Sequence, residues 1–384
     1  MAGIGRLARG ILLVGAAGIA AVALVLVALL IEHSVGVTLP SPTGPLPVGR
    51  SIREWQIDPR RDFLVWAWYP AATAGPAADY LPPEVRSAIA RSRGPIISNL
   101  LTRDLAKVHG HSSGDAPLSS REPSYPVLIM RSGGSGGVAN YATLAEDLAS
   151  HGYVVVGFDV PRRTNLVAFS DGRVIRAAPE NNPETGVGEE RMRRVERLLA
   201  EWTTDIGLVL DELNKRNASE FGGRLDLTRI GVFGHSFGGA QAAEFCHRDA
   251  RCKAAVDIDG IPFGSVTREG IDRPIMFLLS DHAREQDPES ARIIGTIRSI
   301  YESAPPRARA IVVIRGSHHF TFTDDGAILK SHLLRGILRL FGRLHIDGRR
   351  QLEITAYCLR TFFDGNIKGA KISPKDYPEM EILN

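Results

Sequence analysis

The stretch Arg229-Ile-Gly-Val-Phe-Gly-His-Ser-Phe-Gly-Gly-Ala-Gln-Ala-Ala constrains this chain more than any other. Ile230 to Phe233 is a short apolar run that reads as a buried strand. Gly234-His235-Ser236-Phe237-Gly238 follows, and then small residues that let a helix pack close to the strand feeding it. A serine held in a sharp strand-to-helix turn adopts a strained backbone, so the positions two residues to either side must lack side chains. The backbone N–H of Phe237 would then face the site from the start of the helix, where the dipole favours developing negative charge. A Gly-rich turn with an incidental serine is the competing reading in a chain with 39 glycines. The strand before, the helix after and the extra Gly239 favour a nucleophile elbow, which makes Ser236 the candidate nucleophile.

Serine is a weak nucleophile unless a base takes its proton and a carboxylate orients that base. The rest of the chain supplies short apolar strands between helical stretches. Asp62 to Pro70, Val127 to Met130, Tyr153 to Val160, Ala254 to Asp259, Ile275 to Ser280 and Ala310 to Ile314 read as strands. Asn140 to His151 reads as an amphipathic helix, and Glu189 to Asn217 has strong helical periodicity. Such alternation predicts an α/β class protein, with a mostly parallel central sheet covered by helices on both faces. Arg131-Ser-Gly-Gly-Ser-Gly-Gly, after the Val127 strand, resembles the loop of α/β-hydrolases that supplies the second oxyanion N–H. A phosphate-cradling loop is the rival, but it lacks the lysine such a loop requires.

In α/β-hydrolases the chain order is serine, acid, histidine, each at a strand's C-terminal end. Only His318 and His319 lie in a loop after the last expected strand; His282 comes too early, and His332 and His345 fall in predicted helices. The acid is Asp259 or Asp281, each following a strand, while Asp257 lies inside one. Fold habit favours the later of the two. The charged run His282, Arg284 and Glu285 after Asp281 reads as a solvated loop, whereas Asp259 leads into a Pro-Phe-Gly turn.

The N-terminus adds a second feature. Ile11 to Ile31 is unbroken apolar, close to the ~20 residues a helix needs to cross a bilayer. Arg6 and Arg9 precede it, which predicts a cytoplasmic residues 1–10 and an exported remainder. An uncleaved signal anchor is favoured over a peptide cleaved near Ser34-Val35-Gly36, which would give a secreted protein. Residues 32–49 read as a Pro-rich linker and residues 50–384 as the catalytic domain. A net charge of +3 with no basic stripe excludes nucleic acid as a partner. Cys246 and Cys252 either bridge in an oxidising compartment or stay reduced, with Cys358 left over. His109 and His111 read as surface histidines rather than metal ligands. Asp171-Gly172 marks a hairpin within Leu166 to Ile175, and Asn217-Ala-Ser is a glycosylation sequon.

Ala67-Trp-Tyr-Pro, Asp147-Leu-Ala-Ser-His-Gly-Tyr, Gly234-His-Ser-Phe-Gly-Gly-Ala, Asp259-Gly-Ile-Pro-Phe-Gly and Arg315-Gly-Ser-His-His-Phe-Thr-Phe-Thr-Asp carry a resemblance. From about Arg50 to Phe363 the chain resembles the secreted, lipoprotein-associated type of platelet-activating factor acetylhydrolase and related bacterial esterases. The resemblance implies an α/β-hydrolase fold and a triad of Ser236, Asp259 and His319. It implies His319 rather than His318 through the register of Phe322 and Asp324. It implies backbone donors at Phe237 and Gly134. Ser132-Gly133 stands where the mammalian enzymes have His-Gly, and the apolar N-terminal run is a departure too. The expected activity is hydrolysis of short or truncated acyl esters of small molecules or lipids, with no cofactor or metal. A serine peptidase of the same fold and a catalytically inactive adhesion domain are the alternatives.

Overall fold

Apolar strands that feed helices through short turns pack side by side with those helices on both faces. A computed structural model describes residues 2–59, 61–281, 287–328, 336, 340, 346–371 and 375–383. In chain order the strands are β1 (Val37–Thr38), β2 (Val48–Asp58), β3 (Arg61–Pro70), β4 (Ala77–Asp79), β5 (Val108–Gly114), β6 (Tyr125–Arg131) and β7 (Val154–Asp159). They continue as β8 (Leu166–Ala168), β9 (Val174–Arg176), β10 (Leu225–His235), β11 (Cys252–Ile258), β12 (Ile275–Leu279), β13 (Arg309–Ile314) and β14 (Met380–Leu383). The helices are α1 (Ala2–Ser34), α2 (Pro83–Arg93), α3 (Ala142–Ser150), α4 (Gly188–Phe221), α5 (Phe237–Arg248), α6 (Val266–Glu269), α7 (Pro288–Ser303), α8 (Asp325–Ile328) and α9 (Gly348–Ile367).

The main sheet runs β1-β5-β2-β3-β7-β6-β10-β11-β12-β13-β14, with β4 beside β5. From β7 to β13 the neighbours are parallel. β3 is antiparallel to β2 and β7, and β14 to β13. In β3, Leu64, Trp66 and Trp68 face one core while Phe63, Val65, Ala67 and Tyr69 face the other. That period-2 split, with both halves buried, is what a two-sided sheet requires. α3 and α9 cover the first face, and α4, α5 and α7 the second.

Several elements differ from their sequence reading. α3 is buried along its whole length rather than amphipathic. Its acids are held by tertiary partners: Glu146 accepts from the His111 and Ser112 N–H groups, and Asp147 Oδ1 from Thr43. β5 went unread because Val-His-Gly-His-Ser-Ser-Gly lacks apolar alternation. β14 adds a strand beyond the one expected to be last. Residues 32–49 are not a free tether. β1 pairs with β5, Thr43 and Gly44 are held by Asp147 and Ser150, and Leu39 and Val48 are buried. The β8–β9 hairpin turns at Asp171-Gly172 as expected. The Asn217 side chain bonds the Leu225 backbone in both directions, so the sequon asparagine is committed inside the fold. Cys246 and Cys252 form a disulfide and Cys358 is a buried thiol. Among the described residues no metal-ligating cluster exists. His282, Arg284, Glu285, His332 and His345 lie outside the described residues.

Candidate active site

β10 delivers Ser236 to the sheet edge at φ 56° and ψ −124°, a backbone that L-residues rarely adopt. The strain is held from both sides. The Ser236 N–H donates to the Ile258 carbonyl at 2.8 Å, and α5 begins at the next residue. A Cβ at Gly234 would meet the Gly238 carbonyl oxygen at 2.3 Å, and one at Gly238 would meet the Arg131 oxygen at 2.5 Å. The two flanking glycines are therefore steric necessities of the turn. Buried Arg131 closes it from below, donating to Gln241 Oε1 on α5 and to the Phe158 carbonyl.

Asp259, one residue past β11, also has positive φ, 56°. Its buried carboxylate accepts from the Ser280 N–H through Oδ1 and meets His319 Nδ1 through Oδ2 at 2.7 Å. An ionised carboxylate only accepts, so the imidazole proton sits on Nδ1 and Nε2 keeps its lone pair. His319 opens a short turn, His319–Phe322, capped by the His318 side chain. Asp324 fixes the far end of that loop, accepting from the N–H groups of Ala142 and Thr143 at the start of α3 and from the Tyr80 hydroxyl. Burial pushes the Asp324 carboxyl up to about 7. Asp281 lies two residues past β12, and its N–H donates to the Ser317 carbonyl.

Ser236, Asp259 and His319 line one cavity of about 310 Å³ together with Phe237 and Gly134. Phe237 heads α5, where the first amides have no acceptor within the helix. Gly134 has φ +45°. The neighbouring Gly133 N–H is already committed to the Tyr141 hydroxyl at 3.1 Å. Val195, Ile261 and Phe263 make the apolar wall, and Glu184 and Arg191 stand at the polar side.

Three groups here have no role in the sequence reading. The Tyr141 hydroxyl, which accepts from Gly133, lies 2.9 Å from His235 Nδ1. With a lone pair taken by the Gly133 N–H, the Tyr141 hydroxyl donates to that nitrogen, which leaves the His235 proton on Nε2, a buried atom with no hydrogen-bond partner among the described residues. His235 is buried with its ring 4.4 Å from that of His319. Burial, and then the neighbouring His319, hold its pKa down to about 3, so it stays neutral. His235 stood inside the elbow motif without a role, and nothing in the spacing of Tyr141 announced one. The third group is Asp257, on β11 under the elbow, where burial, reinforced by Asp259, raises the carboxyl to about 8 against the pull of the Gly260 N–H bond.

Residues 202–371 match the family described as platelet-activating factor acetylhydrolase, isoform II. The chain resembles the platelet-activating factor acetylhydrolases. A probable 1-alkyl-2-acetylglycerophosphocholine esterase of Arthroderma benhamiae is 24% identical, over 90% of this chain and 94% of that one. The platelet-activating factor acetylhydrolase of Cavia porcellus is 26% identical over 55% of this chain, and the match spans only 50% of its own length. A solved ferulic acid esterase from Streptomyces cinnamoneus superposes with a TM-score of 0.73, at 24% identity, over 91% of this chain and 100% of that chain. The fold is that of the α/β-hydrolases.

Proposed function

We propose that the chain is a serine carboxylester hydrolase acting on short or truncated acyl esters, with Ser236, His319 and Asp259 as its triad. The single observation that carries the reading is the 2.7 Å contact between Asp259 and His319 in the cavity that Ser236 enters from its strained turn. Ser236 Oγ attacks the ester carbonyl while His319 Nε2 takes its proton. The N–H groups of Phe237 and Gly134 receive the oxyanion. His319 returns the proton to the leaving alcohol, and Asp259 stabilises the imidazolium without taking the proton. Water, activated by the same imidazole, then releases the acyl group from Ser236. The size of the cavity suits a short acyl chain. Phe320, 69% exposed, packs edge-on against His319 and offers an exposed apolar ring that suits a lipid-like alcohol. The relatives named as an alkylacetylglycerophosphocholine esterase and a platelet-activating factor acetylhydrolase support a lipid ester as substrate.

The N-terminal helix has an apolar window, Ile11–Ser34, none of it buried. We read α1 as a retained anchor that crosses the membrane, with the catalytic domain on the exported side. Secretion after cleavage near residues 34–36 is the other route to the same compartment. A fluorophosphonate probe should label the wild-type protein and not Ser236→Ala. The variant should lose on the order of 10⁶-fold in kcat toward p-nitrophenyl acetate, the loss seen when a triad nucleophile is removed. Equal labelling of both proteins would refute the assignment. An acyl-length series should then show acetyl esters favoured over long-chain esters.

A further inference from the structure

The last turn of α1 does not end in solvent. Its carbonyls, which have no acceptor role left within a helix, are taken up by the segment after α2. Arg103 Nη1 donates to the Glu32 carbonyl at 3.1 Å, and Lys107 Nζ donates to that of Ser34 at 2.8 Å. The Asp104 N–H donates to the His33 carbonyl, and His33 Nδ1 bonds the Thr102 carbonyl. Arg103 Nε reaches on to the Ile328 carbonyl, at the end of the short helix that follows the catalytic loop. The apolar helix is thus mounted on the catalytic domain through its own terminus.

Beside this mount lies a cavity of about 270 Å³, separate from the active site, lined by His33, Arg86, Arg93, Arg103 and Asp104 among others. Asp104 is occupied in capping the turn at Ala106. Arg86 is braced by Asp79 and the Leu81 carbonyl. Three guanidinium groups and one occupied carboxylate line the cavity, and with Asp79 outside it pairing Arg86 a surplus of positive charge remains, which favours an anion. Next to the cavity, Ile96 and Ile97 are 69% and 44% exposed. Depth follows from the helix: at about 1.5 Å per residue its 24-residue window is about 36 Å long, against about 30 Å of hydrocarbon. His33 therefore reaches the layer of lipid phosphates.

We propose that this cavity seats the phosphate of an anionic phospholipid from the bilayer that α1 crosses, with Ile96 and Ile97 resting among the acyl chains. The inference rests on the reading of α1 as a retained anchor. Guanidinium groups match phosphate geometry and bind it through charge-assisted hydrogen bonds. The lipid phosphate would also touch Arg103, which holds both the anchor and the segment after the catalytic loop.

The test uses the full chain in nanodiscs of phosphatidylcholine with a minority of phosphatidylglycerol, released gently into a mass spectrometer. Phosphatidylglycerol should stay on the wild-type protein well above its share of the bilayer. In Arg86→Gln/Arg93→Gln this enrichment should fall about tenfold. Turnover of p-nitrophenyl acetate should stay within about twofold, because neither arginine touches the active-site cavity. Absence of enrichment in the wild type, or equal enrichment in the variant, would overturn the proposal while leaving the anchor intact. Displacement of the lipid by millimolar inorganic phosphate would make this a site for soluble anions and overturn it too. Release of the full chain from vesicles by high salt alone would instead remove the anchor reading beneath it.

Discussion

The catalytic edge of the sheet and the junction between α1 and the domain are both held by networks of hydrogen bonds, yet they are written into the sequence differently. At the catalytic edge, backbone approaches backbone. Ser236 bonds Ile258, and Gly234 and Gly238 stand where any side chain would collide. Sterics leave one residue type there, so a motif results. At the junction, long side chains reach carbonyl groups: Arg103 to Glu32 and Lys107 to Ser34. Many residues at many spacings could serve those carbonyls, so no pattern marks them. Strain leaves a signature in sequence, and capping by flexible side chains leaves none.

Four further measurements test this contrast. The largest effect belongs to the strained side. Asparagine at the residue orienting His319 keeps the shape but favours the wrong imidazole tautomer, a loss of about 10⁴-fold in the serine-protease precedent. Asp259→Asn should show that loss in kcat with its melting temperature little changed, and Asp281→Asn far less. The reverse ranking would transfer the role to Asp281.

Next comes the junction. A chain starting at Gly36 keeps β1 and the buried Leu39 and Val48, and should be active and as stable as the full domain. One starting at Gly49 gives up that burial and should melt about 5–10 °C lower. Equal melting temperatures would return residues 36–48 to the status of a linker.

Tyr141→Phe tests how far the unread network supports the read one. It strips the acceptor from the Gly133 N–H and the donor from His235. A loss of tens-fold in kcat is expected, below the 10²–10³ of deleting an oxyanion donor outright, with KM nearly unchanged. Unchanged kcat would show that the oxyanion loop holds its shape without Tyr141.

The smallest effect concerns Asp257. Its folded-state pKa is raised, to about 8, above that of an exposed aspartate. The stability linked to its neutral form is present at acid pH and is lost as pH rises toward and through about 8. Asp257→Asn cannot ionise. Its melting temperature should therefore fall less between pH 6 and pH 9 than that of the wild type, and parallel curves would count against a neutral Asp257.

The legible part of this protein follows from the same physics. Paired apolar runs such as Val127 to Met130 and Ile275 to Leu279 gave the parallel core, because strands buried on both faces admit little else. The elbow was legible through its glycines. The order of serine, acid and histidine narrowed the site without choosing between Asp259 and Asp281, and resemblance supplied the choice that the Asp259–His319 contact supports. β5 was illegible because its histidines and serines are stabilised by tertiary partners, the Glu146 carboxylate above all. α3 misled for a related reason. Its acids look solvent-facing in sequence and are instead the acceptors that pin β5 and Thr43.

The disulfide between Cys246 and Cys252 has a consequence for where this domain can mature. It joins the end of α5, which begins beside Ser236, to the start of β11, which ends beside Asp259. The closed loop is short, so the cross-link lowers the entropy of the unfolded chain by the equivalent of only about 2 kcal/mol. That is a minor share of the stability of a large domain, but it falls on the two elements that set the spacing of nucleophile and acid. A copy kept in a reducing compartment would still fold. It would pass through a wider range of Ser236–Asp259 separations, so on the proposed export of the domain oxidation would act as a final tightening of the spacing between the proposed nucleophile and acid.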